Sequence, residues 1–412
     1  MAEIAPFEAL RFDPAAVGEL ADVVAPPYDV ISPSQRDALE SWSPYNVVRL
    51  ILPRDAAGGD GPGRYGRARA QLDEWRANGI VRPDDEPSLT VYEQRYTIGG
   101  VSRVQRGLLA AVVLEGLLPH ERTYDDIVAD RLDLLRATET NLDPIFCVYD
   151  GQDAAAHDAV ERVCAREPLA RFVTEDDGIE HLVWKMTDAE PVARALEKAT
   201  LVIADGHHRW RTALRYRDER RAVDGPGPWD AQMMFLVDAS RWGPALLPIH
   251  RVLEGLDADD VLPKLRAVFD IEDAPHDDPE ALAASLGERR AGGIRTFAMF
   301  DARGAWFLTL KDPAAEREAM PADRSEAWRD LDVAVLHHLV FDRLLGGLSA
   351  GFAHSATEAA HHARAGGGLA FLLAPMPFDA VRAVAETGEA MPQKSTYFVP
   401  KPKTGIALRS LR

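Results

Sequence analysis

Apolar and polar positions along this chain alternate between two periods. Short apolar runs punctuated by glycine and proline are separated by segments whose apolar residues recur at helical spacing. Asn46–Pro53 reads as a strand closed by proline, followed by a Gly-rich loop at 57–63 and a helix over about 65–77 that stops at Asn78-Gly79. Leu89–Tyr96 and Gln105–Leu114 flank Gly99-Gly100 and predict an antiparallel hairpin. Its second strand, Gly107–Leu114, is apolar on both faces and is expected to be central. A loop and a charged helix fill 119–141, and Ile145–Tyr149 is the next strand. The order then reads helix 154–166, strands 170–174 and 181–186, helix 189–199, strand 200–204 and helix 209–221. Strands are expected at 233–237 and 245–253, then a helix near 258–268. The remaining chain predicts helices at 279–289, 330–345, 356–364 and 378–387. Strands alternate with them near 295–300, 305–310 and 369–374.

This pattern predicts an α/β (α+β) protein with mixed sheets and flanking helices, not a doubly wound parallel sheet. Three regions are expected: 1–150 as an N-terminal αβ region, 151–311 as a central one, and 324–412 as a second αβ block. The proline-containing polar stretch Pro313–Asp323 serves as the boundary. No internal repeat is evident.

The chain has 412 residues and a net charge of −19. So acidic a protein is not steered towards DNA, RNA or an anionic membrane. A negatively charged ligand would have to be captured locally, which favours a small molecule in a positive site. Cys147 and Cys164 are too few for a disulfide framework and read as buried thiols. The start of the chain lacks a basic region before an apolar run, and no stretch reaches the length of a membrane span. The expected location is the cytoplasm.

Chemistry concentrates in Leu201-Val202-Ile203-Ala204-Asp205-Gly206-His207-His208-Arg209-Trp210. A buried strand here meets a polar turn that enters a helix. Gly206 permits a tight turn, and the N–H groups of His207 and His208 at the helix start favour an anion. Arg209 adds a planar fork suited to phosphate. Asp205, at the carboxyl end of a strand, is a candidate Mg²⁺ ligand, a partner for His207, or a helix cap. His207 or His208 is a candidate general acid or base.

Four further segments carry candidates. Ala25-Pro26-Pro27-Tyr28-Asp29-Val30-Ile31-Ser32-Pro33 presents Asp29 on a proline-braced turn; alternatively Asp29 or Ser32 caps the helix after Pro33. Pro119-His120-Glu121-Arg122 places His120 and Glu121 in a loop, without the spacing of a zinc motif. Leu247-Pro248-Ile249-His250-Arg251 sets His250 and Arg251 at a strand edge. Met391–Gly405 is a basic, proline-braced stretch whose Lys394, Ser395 and Lys401 are expected to close over an anion. Arg131 and Arg136 read as solvated, as do His337-His338 and His361-His362. His354-Ser355 reads as a helix start.

The segments Val24–Ile31, His120–Thr123, Asn141 with Pro144–Phe146, Ala204–Arg209, Pro248–Arg251 and Met391–Phe398 resemble, in order, the domain-of-unknown-function 1015 family of bacteria and archaea. Asp205-Gly206-His207-His208-Arg209 is also similar to the phosphate-binding loop of the ParB and sulfiredoxin superfamily, which includes kinases of free serine. That resemblance implies a small-molecule phosphotransferase acting on serine or a similar hydroxylated metabolite, with ADP, ATP or pyrophosphate as the second substrate. Asp29 and Glu121 are then the candidates for accepting the hydroxyl proton. A phosphomonoester phosphatase of the phosphoserine type, or a non-catalytic sensor of a phosphorylated metabolite, would use the same cradle.

Overall fold

The computed structural model describes residues 3–55, 63–151, 153–275 and 278–412. Most of the Gly-rich loop expected at 57–63 lies outside them. The chain forms two compact units: 1–244 with 400–412, and 245–399. This differs from the three regions read from the sequence. Pro313–Asp323, expected to be a boundary, lies inside the second unit and begins with the helix Pro313–Ala319, capped by Asp312.

The first unit is built on a nine-stranded mixed sheet among the described residues. Its order is Leu117–Leu118, Leu201–Asp205, Ile145–Tyr149, Ala231–Asp238, Val101–Val113, Leu89–Ile98, Glu180–Met186 and Ala170–Val173, with Ile4–Ala5 pairing off the path. Leu201–Asp205 runs parallel to Leu117–Leu118, and Ala231–Asp238 parallel to Ile145–Tyr149; the other pairs are antiparallel. The predicted hairpin forms, and its second strand is flanked on both sides, as its two-faced apolarity requires. A second, antiparallel sheet joins Val81–Pro83, Ala9–Phe12, Leu408–Ser410 and Thr140–Asn141. It ties the C-terminal stretch to both the start of the chain and the segment before Asp143.

Asn46–Pro53 is not a strand. Val48–Ile51 is a helical turn, because buried Asn46 accepts from the Val48 N–H at 2.9 Å and donates to Asp22 O at 2.8 Å and Val24 O at 3.0 Å. A short apolar run whose Val47, Val48, Leu50 and Ile51 are all sealed carries no period to distinguish the two.

The second unit carries a six-stranded antiparallel sheet ordered Phe269–Asp273, Ala305–Leu310, Thr296–Phe300, Gly368–Leu372, His250–Glu254 and Gly351–Ala353. The expected strand 245–253 is two strands: Ala245–Leu247 pairs instead with Tyr397–Val399. Arg251 and His250 are buried rather than at an exposed edge. Arg251 donates to His337 Nε2 at 2.9 Å, so His337 is not the solvated residue its helix pattern implied. His361 and His362 are exposed. Ser355 caps the helix Ala356–Gly366 as expected. Cys147 is buried, whereas Cys164 is only partly so; both are free thiols. Among the described residues no helix is long and apolar enough to cross a membrane.

Candidate functional site

The strand Leu201–Asp205 is sealed from Leu201 to Ile203, and its register against Ile145–Tyr149 shifts between Ile203 and Asp205. Such a bulge bends a strand and re-aims the side chains beyond it. Gly206 follows at φ 95°, a left-handed conformation that costs glycine nothing. The chain then enters the helix His207–Asp224, anchored by Ala213 and Tyr216 in the core and by Trp210 Nε1 donating to Leu114 O at 3.2 Å. Asp205 does not cap this helix; Gly206 occupies the cap position without a side-chain bond. The first-turn N–H groups, from His207 onward, have no carbonyl partner within the helix.

Asp205 is instead the centre of a charge cluster. It accepts from Arg209 Nη2, one turn along, and from Lys401 Nζ. Burial opposes its ionisation, but Lys401 and Arg209 outweigh burial and hold the carboxyl below its ordinary range. Burial likewise opposes the charge on Lys401, and Asp205 with Asp29 reverses that, so the ammonium stays protonated. Lys401 Nζ also lies 3.5 Å from Asp29 Oδ2.

Arg209 is turned inward, contrary to the expectation of a free fork. Its Nη1 donates to Pro144 O, its Nη2 is taken by Asp205, and its side chain is 7 % exposed. Its Nε is buried and lacks a hydrogen-bond partner among the described residues. A Cβ on Gly206 would lie 2.9 Å from that Nε, so the glycine also makes room for the guanidinium.

Tyr28 and Asp29 reach the cluster from a short 3-10 turn, Tyr28–Val30. Ser32, not Asp29, caps the following helix Pro33–Trp42. The turn is held beside the C-terminal stretch by Ala25, which exchanges backbone hydrogen bonds with Thr404 at 3.1 and 2.8 Å. Burial raises the Tyr28 phenol to about 12, with Arg209 opposing. Arg131 lies 4.3 Å over the Tyr28 ring and donates to Ile51 O at 2.6 Å; it is buried, not solvated, while Arg136 is exposed.

His120 and Glu121 do reach one place, around His207. The His120 N–H donates to His207 Nε2 at 3.2 Å, and Glu121 lies 3.5 Å from His207 Nδ1. Burial drives His207 well below the ordinary histidine range, and pushes His120 down to about 4 against a bond to the Ile203 backbone. His207 is therefore a neutral, sealed ring whose two nitrogens both have neighbours, not a poised proton carrier. His208 is half-buried, and its Nε2 accepts from the Tyr124 N–H at 3.0 Å. Burial lowers its pKa too.

Asp143 and its partner Thr404 were not singled out from sequence. Buried Asp143 accepts from Thr404 Oγ1, and burial raises its carboxyl against the pull of Arg209. An aspartate between Leu142 and Pro144, just ahead of a fully apolar strand, was the available signal. Lys394 and Ser395 fall in the second unit, while Lys401 falls in the first. Lys394 is exposed with φ 55°, and Ser395 Oγ donates to Pro392 O. The stretch 391–405 is thus not one closing loop.

The expected Mg²⁺ ligand role of Asp205 does not fit this donor set, because its carboxylate is already engaged by two cations. Among the described residues no group of three or more His, Cys, Asp or Glu side chains is arranged to hold a metal ion.

No curated protein matches the chain in sequence. Solved structures found include a free serine kinase variant in complex with ADP, at 12 % identity over 74 % of this chain and 92 % of that one, with a TM-score of 0.37. A conserved hypothetical protein from Pyrococcus furiosus matches at 14 % identity over 74 % and 95 %, TM-score 0.33. SbnI from Staphylococcus aureus, truncated at its C-terminus, matches at 11 % identity over 72 % and 85 %, TM-score 0.34. Residues 4–334 match the family model described as "Protein of unknown function (DUF1015)", and the chain belongs to that family.

Proposed function

We propose that the protein is a small-molecule phosphotransferase whose phosphoryl group rests on the turn Asp205–Arg209. The observation that carries this reading is the placement of the half-buried Lys401 ammonium. It sits between Asp205 and Asp29, at a strand end that opens directly into a helix N-terminus. First-turn N–H groups and the helix dipole favour a phosphate oxygen there. Lys401 supplies positive charge that needs no reorganisation during transfer, the main source of catalysis in this chemistry. Arg209 acts from beneath, by fixing Asp205 and through its unpartnered Nε.

Asp29 is the proposed general base. It is exposed, it lies beside Lys401, and its charge acts on Arg209, His208 and Lys401. The acceptor is a hydroxylated metabolite such as serine, and the donor is ADP, ATP or pyrophosphate. The acceptor oxygen forms its bond to phosphorus as the donor's bridging P–O bond breaks. The donor fragment leaves with that electron pair, and the hydroxyl proton passes to Asp29.

A thermal-shift panel of ADP, ATP, pyrophosphate and phosphoserine, with and without Mg²⁺, tests binding. A ligand at a hundredfold excess over its dissociation constant stabilises by about 2.7 kcal/mol. Transfer from each donor to serine and related hydroxyl compounds tests catalysis. Asp29→Asn is expected to keep the shift and lose turnover, while Glu121→Gln keeps both. A shift without turnover in the wild-type chain would make the protein a sensor; no shift with any phosphate compound would remove the proposal.

A further inference from the structure

Away from the Asp205 cluster, the first unit contains a partly open cavity of about 310 Å³. None of its lining residues belongs to that cluster. Its walls are mainly apolar, with Phe12, Val24, Phe172, Val183 and Ile406 among them, and half-exposed Leu169 contributes at the edge strand. Volume and lining fall within the range of small-molecule sites, which combine apolar walls with a few placed polar groups.

The charged groups of the lining are two arginines and two aspartates, with a third cation standing behind one of the pairs. Arg11 lines the cavity and donates through Nε to both oxygens of Asp84 at 3.1 Å, through Nη1 to Ile406 O at 3.2 Å and through Nη2 to Thr90 Oγ1 at 2.5 Å. Lys185, which is not part of the lining, approaches the same carboxylate at 2.8 Å. One buried carboxylate thus faces two cations, leaving this end positive. A second pair, Arg82 and Asp13 at 3.1 Å, also lines the cavity and cancels itself. Apolar walls with a net positive end suit a compact apolar body bearing one acidic group.

We propose that this cavity is a second ligand site, selective for small apolar monocarboxylates. The site does not depend on phosphoryl chemistry at Asp205. Its wall includes Gly405 and Ile406, which follow Thr404 of the site cluster along one stretch of chain. A bound acid would therefore contact the same segment that presents Lys401.

The test uses the full chain and three probes of one shape: phenylacetate, its neutral amide and phenethylamine. Calorimetric titration is expected to give saturable binding in the order acid, amide, amine. Leu169 is half-exposed, so Leu169→Asp and Leu169→Lys are expected to melt as the wild type does. The aspartate should weaken phenylacetate about fivefold, the effect of one like charge near the site in water, and the lysine should tighten it. Amine binding equal to acid binding, identical behaviour of the two Leu169 variants, or no saturable binding by any probe would overturn the assignment.

Discussion

Replacing Lys401 by methionine isolates the interaction on which the site geometry rests. The lysine side chain is 18 % exposed and that of Asp205 is 12 % exposed, so the pair is largely removed from water. Methionine keeps most of the stem volume and removes the ammonium, with its charge and its hydrogen bond to Asp205. Asp205 would then remain ionised and buried with Arg209 as its remaining partner. Leaving a buried charge with no partner costs about 3–5 kcal/mol; with Arg209 still on the carboxylate the loss is smaller, about 1–3 kcal/mol. For a folding unit of this size each kcal/mol moves the midpoint by about 2–4 °C, so the loss corresponds to about 2–12 °C. The assay is differential scanning calorimetry of wild type, Lys401→Met, Asp205→Asn and the double variant. If the two groups hold one another, the double variant loses less than the sum of the singles, by about 0.5–3 kcal/mol. A midpoint for Lys401→Met within about 1 °C of wild type, or strictly additive singles, would refute the reasoning.

The same structure makes other predictions. Gly206→Ala forces a left-handed backbone on a residue with a Cβ and presses that carbon against the Arg209 guanidinium. It should cost at least about 1–2 kcal/mol in a urea melt, and a neutral result would mean the turn is otherwise shaped. His120 is held down at about 4 by burial, so the unfolded chain protonates first as pH falls. Its contribution is complete above the unfolded value of 6.5 and is lost progressively as pH drops towards 4, by at most about 1.4 kcal/mol per pH unit. Melting against pH should therefore be flatter across that window for His120→Gln than for wild type; parallel curves would contradict the buried neutral ring. In the second unit, Arg251→Lys strips hydrogen bonds from His337 and from the carbonyls of Gln393 and Lys394. Denaturant unfolding should show a loss of about 1–3 kcal/mol, and an unchanged midpoint would show those bonds to be replaceable.

Much of this candidate site is legible in the sequence. Asp205, Tyr28-Asp29, His120-Glu121 and Lys401 stood out because polar groups beside fully apolar strands or between prolines are poor core material, and the structure gathers them in one unit. The direction of Arg209 was misread, although the clue was local. Asp205 stands four residues before it, at the strand end, and the tight turn at Gly206 folds the helix's first turn back onto that carboxylate. A guanidinium offered such a partner across the turn need not face a ligand. Asp143 passed unnoticed because its role depends on Thr404, which reaches it from the far end of the chain. Lys394 and Lys401 looked equivalent in sequence, but nothing local marks Val399–Pro400 as the place where the chain passes from one unit to the other. Asn46 shows the same limit on a smaller scale. Its bonds to Asp22 and Val24 turn an apolar run into a helix, and such contacts leave no periodic trace.

The most direct test is to watch the backbone amides of the turn itself. With ¹⁵N-histidine and ¹⁵N-arginine labelling, pyrophosphate is titrated into the full chain and the amide signals of His207, His208 and Arg209 are followed. A phosphate seated on this helix start predicts that these amides shift together, saturably and further than those of His250, Arg251 or His337 in the second unit. Saturable binding that leaves them in place while other amides move would put the phosphate elsewhere and contradict the account.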